Sequence, residues 1–187
     1  DRDGDLDLIV VSGSNEFKDD DNTLQPRLYL NDGKGAFTVG TGLPNLKINA
    51  ACIAAADFDK DGDVDLFIGS RLRSGQYGID PPSYLLTNDG TGIFKNYTKR
   101  YIPKINQLGM VTDATWSDLD GDGYPELVVV GDWAPVVVFR NRKNSLEMQQ
   151  VTVKNLGGEP VKTNGWWNTV ETADFDGDGD MDIVAGN

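Results

Sequence analysis

The stretch Asp57-Phe-Asp-Lys-Asp-Gly-Asp-Val-Asp65 places five carboxylates in nine residues, with a glycine at the sixth position. That spacing has a specific chemistry. Carboxylates at positions 1, 3 and 5 can converge from one tight loop on a hard cation, and glycine at 6 permits the sharp bend. Position 7 can offer its backbone carbonyl, which leaves its side chain free to vary, and position 9 closes the site with one more carboxylate. The pattern returns as Asp118-Leu-Asp-Gly-Asp-Gly-Tyr-Pro-Glu126 and as Asp174-Phe-Asp-Gly-Asp-Gly-Asp-Met-Asp182. The sequence opens inside a further copy, Asp1-Arg-Asp-Gly-Asp-Leu-Asp7, which lacks its first two positions. The predicted ligands are Asp57, Asp59, Asp61, Asp63 and Asp65 in one turn and Asp118, Asp120, Asp122, Tyr124 and Glu126 in the next. Asp174, Asp176, Asp178, Asp180 and Asp182 form another set, and the truncated copy keeps Asp1, Asp3, Asp5 and Asp7.

Calcium fits this donor set best, since it takes ~6–8 oxygen ligands, whereas magnesium keeps its waters and prefers fewer carboxylates. We therefore expect three complete calcium sites and one truncated site. An EF-hand begins in the same way but needs a bidentate Glu at position 12 between two helices. Position 12 here is Ile68, Val129 or Ala185, in apolar runs. The plainer reading is a set of Asp/Gly turns that fold without metal. Repetition in register argues against it, because crowded carboxylates without a cation repel one another.

The charge distribution agrees. The chain has 187 residues and a net charge of −13, and the four acidic segments hold 18 of its 30 acids. Such a balance disfavours nucleic acid and anionic membrane as partners. There is no histidine and a single cysteine, Cys52. Histidine-based catalysis, histidine-ligated zinc and internal disulfides are thereby excluded. Cys52 sits in an apolar stretch and reads as a buried, inert thiol. No run approaches the ~20 apolar residues of a membrane-spanning helix.

Something must position these turns at a regular interval. The shared glycines Gly4, Gly62, Gly123 and Gly179 recur every 56–61 residues. A second motif recurs between them: Leu28-Tyr-Leu-Asn-Asp-Gly-Lys-Gly-Ala-Phe37, Leu85-Leu-Thr-Asn-Asp-Gly-Thr-Gly-Ile-Phe94 and, more weakly, Val138-Phe-Arg-Asn-Arg-Lys-Asn-Ser-Leu146. Asn-Asp-Gly between apolar runs is a hairpin signal. Short apolar runs flank each complete acidic turn and are the length of strands. One period thus reads strand A, acidic turn, strand B, loop, strand C, Asn-Asp-Gly turn, strand D. Four antiparallel strands in about 60 residues is the size of a propeller blade with long loops. The segments 45–48 and 101–108 could hold one helical turn at most.

The divisions expected are a partial blade over 1–48 lacking strand A, whole blades over 49–109 and 110–164, and strands A and B over 165–187. Thirteen strands with a B strand at both ends cannot close a ring, so the sequence reads as part of one β-propeller in a longer chain. The runner-up is a stacked β-solenoid of the same repeats.

The copies Ala56-Asp-Phe-Asp-Lys-Asp-Gly-Asp-Val-Asp-Leu66 and Ala173-Asp-Phe-Asp-Gly-Asp-Gly-Asp-Met-Asp-Ile183 resemble FG-GAP/VCBS repeats, the calcium-loop blades of integrin-α-like propellers. Leu30-Asn-Asp-Gly-Lys-Gly-Ala-Phe37, Gly131-Asp-Trp-Ala-Pro135 and Gly165-Trp-Trp-Asn168 are also similar to secreted bacterial proteins that pair VCBS repeats with an ASPIC/UnbV-type segment. The resemblance implies a calcium-stabilised extracellular or cell-surface propeller that serves as a binding platform.

In such a blade the A–B and C–D turns share one face. The opposite face gathers segments 14–25, 71–82, 132–134 and 157–167, carrying Arg71, Arg73, Tyr77, Trp133, Trp166 and Trp167. Aromatics beside arginines suit a protein or glycan ligand. The plainer alternative is that the tryptophans pack between blades. Two functions remain open: a non-enzymatic adhesion or interaction platform, and a polysaccharide-active lyase or hydrolase in which Arg71 and Arg73 hold substrate carboxylates.

Overall fold

A computed structural model of the protein describes residues 2–105, 108–143 and 145–187. Asp1, one of the predicted ligands, lies outside the described residues. The chain is all-β, and its strand pairs are antiparallel. The first sheet joins β1 (Leu8–Val10), β2 (Arg27–Asn31) and β3 (Phe37–Gly40). The second runs in order through β4 (Ala50–Ala56), β5 (Asp65–Ser70), β6 (Tyr84–Asn88) and β7 (Phe94–Asn96). The third does the same with β8 (Met110–Ser117), β9 (Glu126–Ala134), β10 (Val137–Asn141) and β11 (Leu146–Gln150). A small hairpin of β12 (Val153–Lys154) and β13 (Pro160–Val161) follows, and then β14 (Gly165–Trp166). The last sheet pairs β15 (Thr169–Ala173) with β16 (Asp182–Gly186).

Apolar runs without alternation show how the sheets stack. Every residue of β5 is buried. In a strand, neighbouring side chains point to opposite faces, so a strand buried throughout has a sheet packed on each side. Leu66 and Ile68 join Leu28, Ile48 and Phe94 between the first and second sheets. Phe67 joins Leu127, Val129 and Phe139 between the second and third. Val128 and Val130 pack with Val170, Ile183 and Ala185 between the third and fourth. Each large side chain so buried contributes about 1.5–3 kcal/mol, and the stacking of successive sheets supplies the core.

The first strands β4, β8 and β15 lie side by side. The Trp116 indole N–H of β8 donates to the Ala54 carbonyl of β4 at 3.4 Å. On the other side the Asp113 carboxylate of β8 accepts from the Thr169 hydroxyl and the Val170 N–H, both at 2.9 Å. These bonds tie each first strand to the next.

Three local features differ from the sequence reading. Residues 132–134 are the end of β9 and not a loop. Asp132 pairs with Met110 of β8 on one edge and with Trp166 of β14 on the other, which extends the strand. Segment 45–48 holds no helix, and the helical turn α1 falls at Thr98–Tyr101, where the Asn96 side chain accepts the Thr98 N–H at 3.1 Å. A 3-10 turn at Asn22–Leu24, capped by Asp21, was not foreseen.

Candidate metal centres and an aromatic face

The sequence-predicted turns bring their carboxylates together. One oxygen from each of Asp57, Asp59 and Asp61 lies within 4.8 Å of the other two, and Asp118, Asp120 and Asp122 form an equivalent group. In the last turn the group is Asp174, Asp176 and Asp182. The bend is made as the pattern requires: Gly62, Gly123 and Gly179 take φ of 92°, 88° and 97°, a region costly for a residue with a Cβ. Their N–H groups all donate back to the position-1 carboxylate, at 3.2 Å to Asp57, 2.9 Å to Asp118 and 3.1 Å to Asp174.

The second turn, 57–65, crowds the most deeply buried of these carboxylates. Asp57 Oδ1, Asp59 Oδ1 and Asp65 Oδ2 are buried without a well-formed hydrogen bond, although the backbone N–H groups of Asp61 and Phe58 come close enough to favour ionised Asp59 and Asp65. Asp65 is fully buried. An unsatisfied buried polar atom costs roughly 1–3 kcal/mol, and more when charged. Burial drives the Asp65 carboxyl up to about 7; the Asn88 N–H pulls it back, while Asp59 and Asp61 add repulsion. Asp59 is raised as well, by burial and then by Asp61. A set of converging, under-satisfied carboxylate oxygens fits a hard cation.

Position 9 has a second task. Asp7, Asp65 and Glu126 accept the backbone N–H of Asn31, Asn88 and Asn141 at 3.0, 2.9 and 3.1 Å. The asparagine side chain answers in two copies, Asn31 donating to the Leu6 carbonyl at 3.1 Å and Asn141 to the Pro125 carbonyl at 3.0 Å. The acidic turn and the Asn-Asp-Gly turn are therefore clamped together at one end of the sheet. Gly90 shows how tightly: with φ at 80°, a Cβ there would sit 2.9 Å from Asp63 Oδ2. Neighbouring turns are linked too. Arg2 pairs with Asp63 Oδ1 at 2.5 Å, and Asn141 donates to the Phe58 carbonyl at 2.8 Å.

At position 7, Tyr124 lies under Lys143, whose Nζ is 4.8 Å from its ring centre. Asp178 and Asp180 are exposed, and the Asp178 carboxylate accepts the Asp180 N–H at 2.9 Å. Asp5 is raised by burial and then by Asp3 and Asp7. The Asp3 carboxylate accepts the Asp5 N–H at 3.2 Å.

Part of the predicted ligand set gathers on the opposite side. The Tyr77 and Trp133 rings are 5.2 Å apart, and Trp133 lies 6.0 Å from Trp166. All three are more than half exposed, at 59%, 51% and 55%. Beneath them Asp132 accepts from Arg71 Nε at 2.9 Å and Nη2 at 3.3 Å, and from the Tyr77 hydroxyl at 3.3 Å. Trp133 has φ of 58°, a left-handed conformation rare for a bulky residue. Two predicted residues stay apart. Arg73 Nε donates to the Asp80 carbonyl at 3.3 Å within its own loop. Trp167 is half-buried against the cluster that holds Val170 and donates to the Thr163 carbonyl at 2.8 Å. Trp167 is thus half-buried, whereas Trp133 and Trp166 are about half exposed. Asp132 escaped the sequence reading, and its flanking aromatic was the signal. Cys52 is a free, buried thiol, pushed up to about 12 by burial and then by Asp113, and has no part in either site.

The family model for the FG-GAP-like repeat matches residues 1–68 and 118–185, which is most of the chain. The chain belongs to the FG-GAP-like repeat family. No curated protein matches it. Among solved structures, the FG-GAP chain is similar in fold to a lectin of Agrocybe aegerita described as specifically recognising non-reducing terminal N-acetylglucosamine. The TM-score is 0.55 at 20% identity, and the match covers 86% of this chain and 41% of the lectin. The FG-GAP chain thus spans less than half the length of that relative.

Proposed function

We propose that this chain is a section of a calcium-stabilised β-propeller that acts outside the cytoplasm as a non-catalytic platform for neutral glycans. The observation that carries the reading is the exposed cluster of Tyr77, Trp133 and Trp166 over the Arg71–Asp132 pair. Aromatic faces accept the apolar C–H face of a sugar ring, and the adjoining polar groups can bond its hydroxyls. The left-handed backbone at Trp133 adds weight, since strain of about 1–3 kcal/mol persists mainly where a side chain must be held in one place. Resemblance in fold to a lectin favours carbohydrate over protein.

Arg71 is already neutralised by Asp132, and Arg73 is turned into its own loop. That argues for a neutral sugar and against an enzyme that grips uronate carboxylates. The calcium turns supply rigidity on the other face. Asp57, Asp59, Asp61 and Asp65 would hold the ion in the second turn, and bound calcium would supply the positive charge that their oxygens lack. Single-loop sites of modest affinity, about 10⁻⁴–10⁻³ M, fill where calcium is plentiful, as outside cells.

The test is a glycan panel that includes terminal N-acetylglucosamine, read by tryptophan fluorescence in calcium. Saturable binding without new reducing ends or unsaturated products, lost in Trp133→Ala and Trp166→Ala, supports the proposal. Absence of binding, or turnover of any glycan, contradicts it.

A further inference from the structure

The three described acidic groups are not chemically equivalent, and Arg140 is the reason. It stands on β10 directly before Asn141, where the corresponding residues of the other copies are Leu30 and Thr87. Its guanidinium Nη2 bonds Asp120 Oδ2, and its Nε is buried without an acceptor, so Asp120 is what holds it. Asp120 Oδ1 already accepts the Asp122 N–H at 3.3 Å. Asp118 is likewise spent on backbone, accepting from Asp122 at 3.1 Å and Gly123 at 2.9 Å. In the second turn the cation from outside, Arg2, takes Asp63 at position 7, which would offer a carbonyl to a metal and not its carboxylate. Among the described ion pairs none reaches Asp57, Asp59 or Asp65 there; Asp59 accepts only neutral donors such as the Tyr101 hydroxyl at 3.3 Å, and Asp65 is fully buried. In the last turn the acids are largely exposed, and among the described ion pairs none reaches them.

We propose that Arg140 is a resident cation of the turn 118–126, competing with calcium for Asp120, so that this turn fills last while the turn 57–65 fills first. The inference rests on the calcium reading above. A unit positive charge fixed on one ligand opposes a second cation by Coulomb repulsion, strongly where water is partly excluded. In return, the third turn keeps its shape in the absence of calcium. The fold would then combine one turn that requires the ion with one that is held by its own side chain.

Each turn has its own reporter, because Gly62, Gly123 and Gly179 donate to the position-1 carboxylates. The experiment is a calcium titration of chelated, ¹⁵N-labelled protein followed by these three amides. The wild type should show Gly62 moving first and Gly123 last. Arg140→Thr, which installs the residue of the second blade, should lower the calcium midpoint at Gly123 about tenfold, equivalent to ~1.4 kcal/mol, and leave Gly62 unchanged. Arg140→Gln should act in the same direction, and the spectrum itself reports whether either variant is folded. Equal midpoints in the wild type, or a Gly123 midpoint unmoved or raised in both variants, would overturn the inference while leaving calcium binding intact. If no glycine amide responds to calcium in any protein, the calcium reading fails and the inference with it.

Discussion

The Asp65 carboxylate accepts the Asn88 backbone N–H at 2.9 Å, and this bond joins the two repeated motifs of the chain. Asp65 is thus both a predicted metal ligand and a structural clamp. The roles separate by substitution. In chelator, Asp65→Ala should lose about 1–3 kcal/mol by leaving the part-buried Asn88 amide without its acceptor. Asp65→Asn keeps an acceptor oxygen without the charge and should match the wild type or exceed it. In calcium both variants should fall below the wild type. Urea unfolding of the three proteins in each condition checks this, and equal losses for Ala and Asn in chelator would contradict the clamp.

A pH dependence follows from the same residue. The folded carboxyl titrates near 7, against an ordinary 3.8. Between these values the metal-free native state holds a proton that the unfolded chain has released. Stability of the chelated protein should therefore fall as pH rises from about 4 to about 7. Calcium should oppose the fall, since it binds the ionised form, and Asp65→Asn should flatten the chelated curve. Urea midpoints measured across this window decide the matter; a chelated wild type that gains stability as pH rises would contradict the assignment.

Trp133 offers a trade between stability and binding. Its φ of 58° is a conformation that glycine adopts without cost. Trp133→Gly should melt above Trp133→Ala, by an equivalent of about 1–2 kcal/mol, while both lose glycan binding. Thermal melts and fluorescence titrations of the two variants test the pair together. An alanine variant at least as stable as the glycine variant would remove strain from the account of this face.

The legibility of these sites in the sequence follows the distance between partners. Asp57, Asp59 and Asp61 were readable because their convergence is set within one turn by spacing and Gly62. The paired turns were readable from Asn31, Asn88 and Asn141, although the clamp to position 9 was not. Its partners lie 15 to 24 residues apart and meet only through strand pairing. Arg140 looked like an ordinary strand residue, because the Asp120 it neutralises is 20 residues earlier, across β9. Asp132 read as loop because a charged residue before Trp-Ala-Pro is a poor strand signal. Its strand partners are Met110 of β8 and Trp166 of the two-residue β14, and its side chain meets Arg71, 61 residues away. Trp166 and Trp167 are adjacent in sequence, yet one is exposed in the aromatic cluster and the other is half-buried against the core.

Calcium in the acidic turns is the central claim, and equilibrium dialysis of chelator-treated protein against radioactive calcium tests it most directly. The account predicts saturable binding that a similar concentration of magnesium does not displace. It also predicts loss of the tightest component in the double variant Asp59→Asn/Asp61→Asn, with weaker binding retained at the remaining turns. Binding that is absent, or that is unchanged in the double variant, would contradict it.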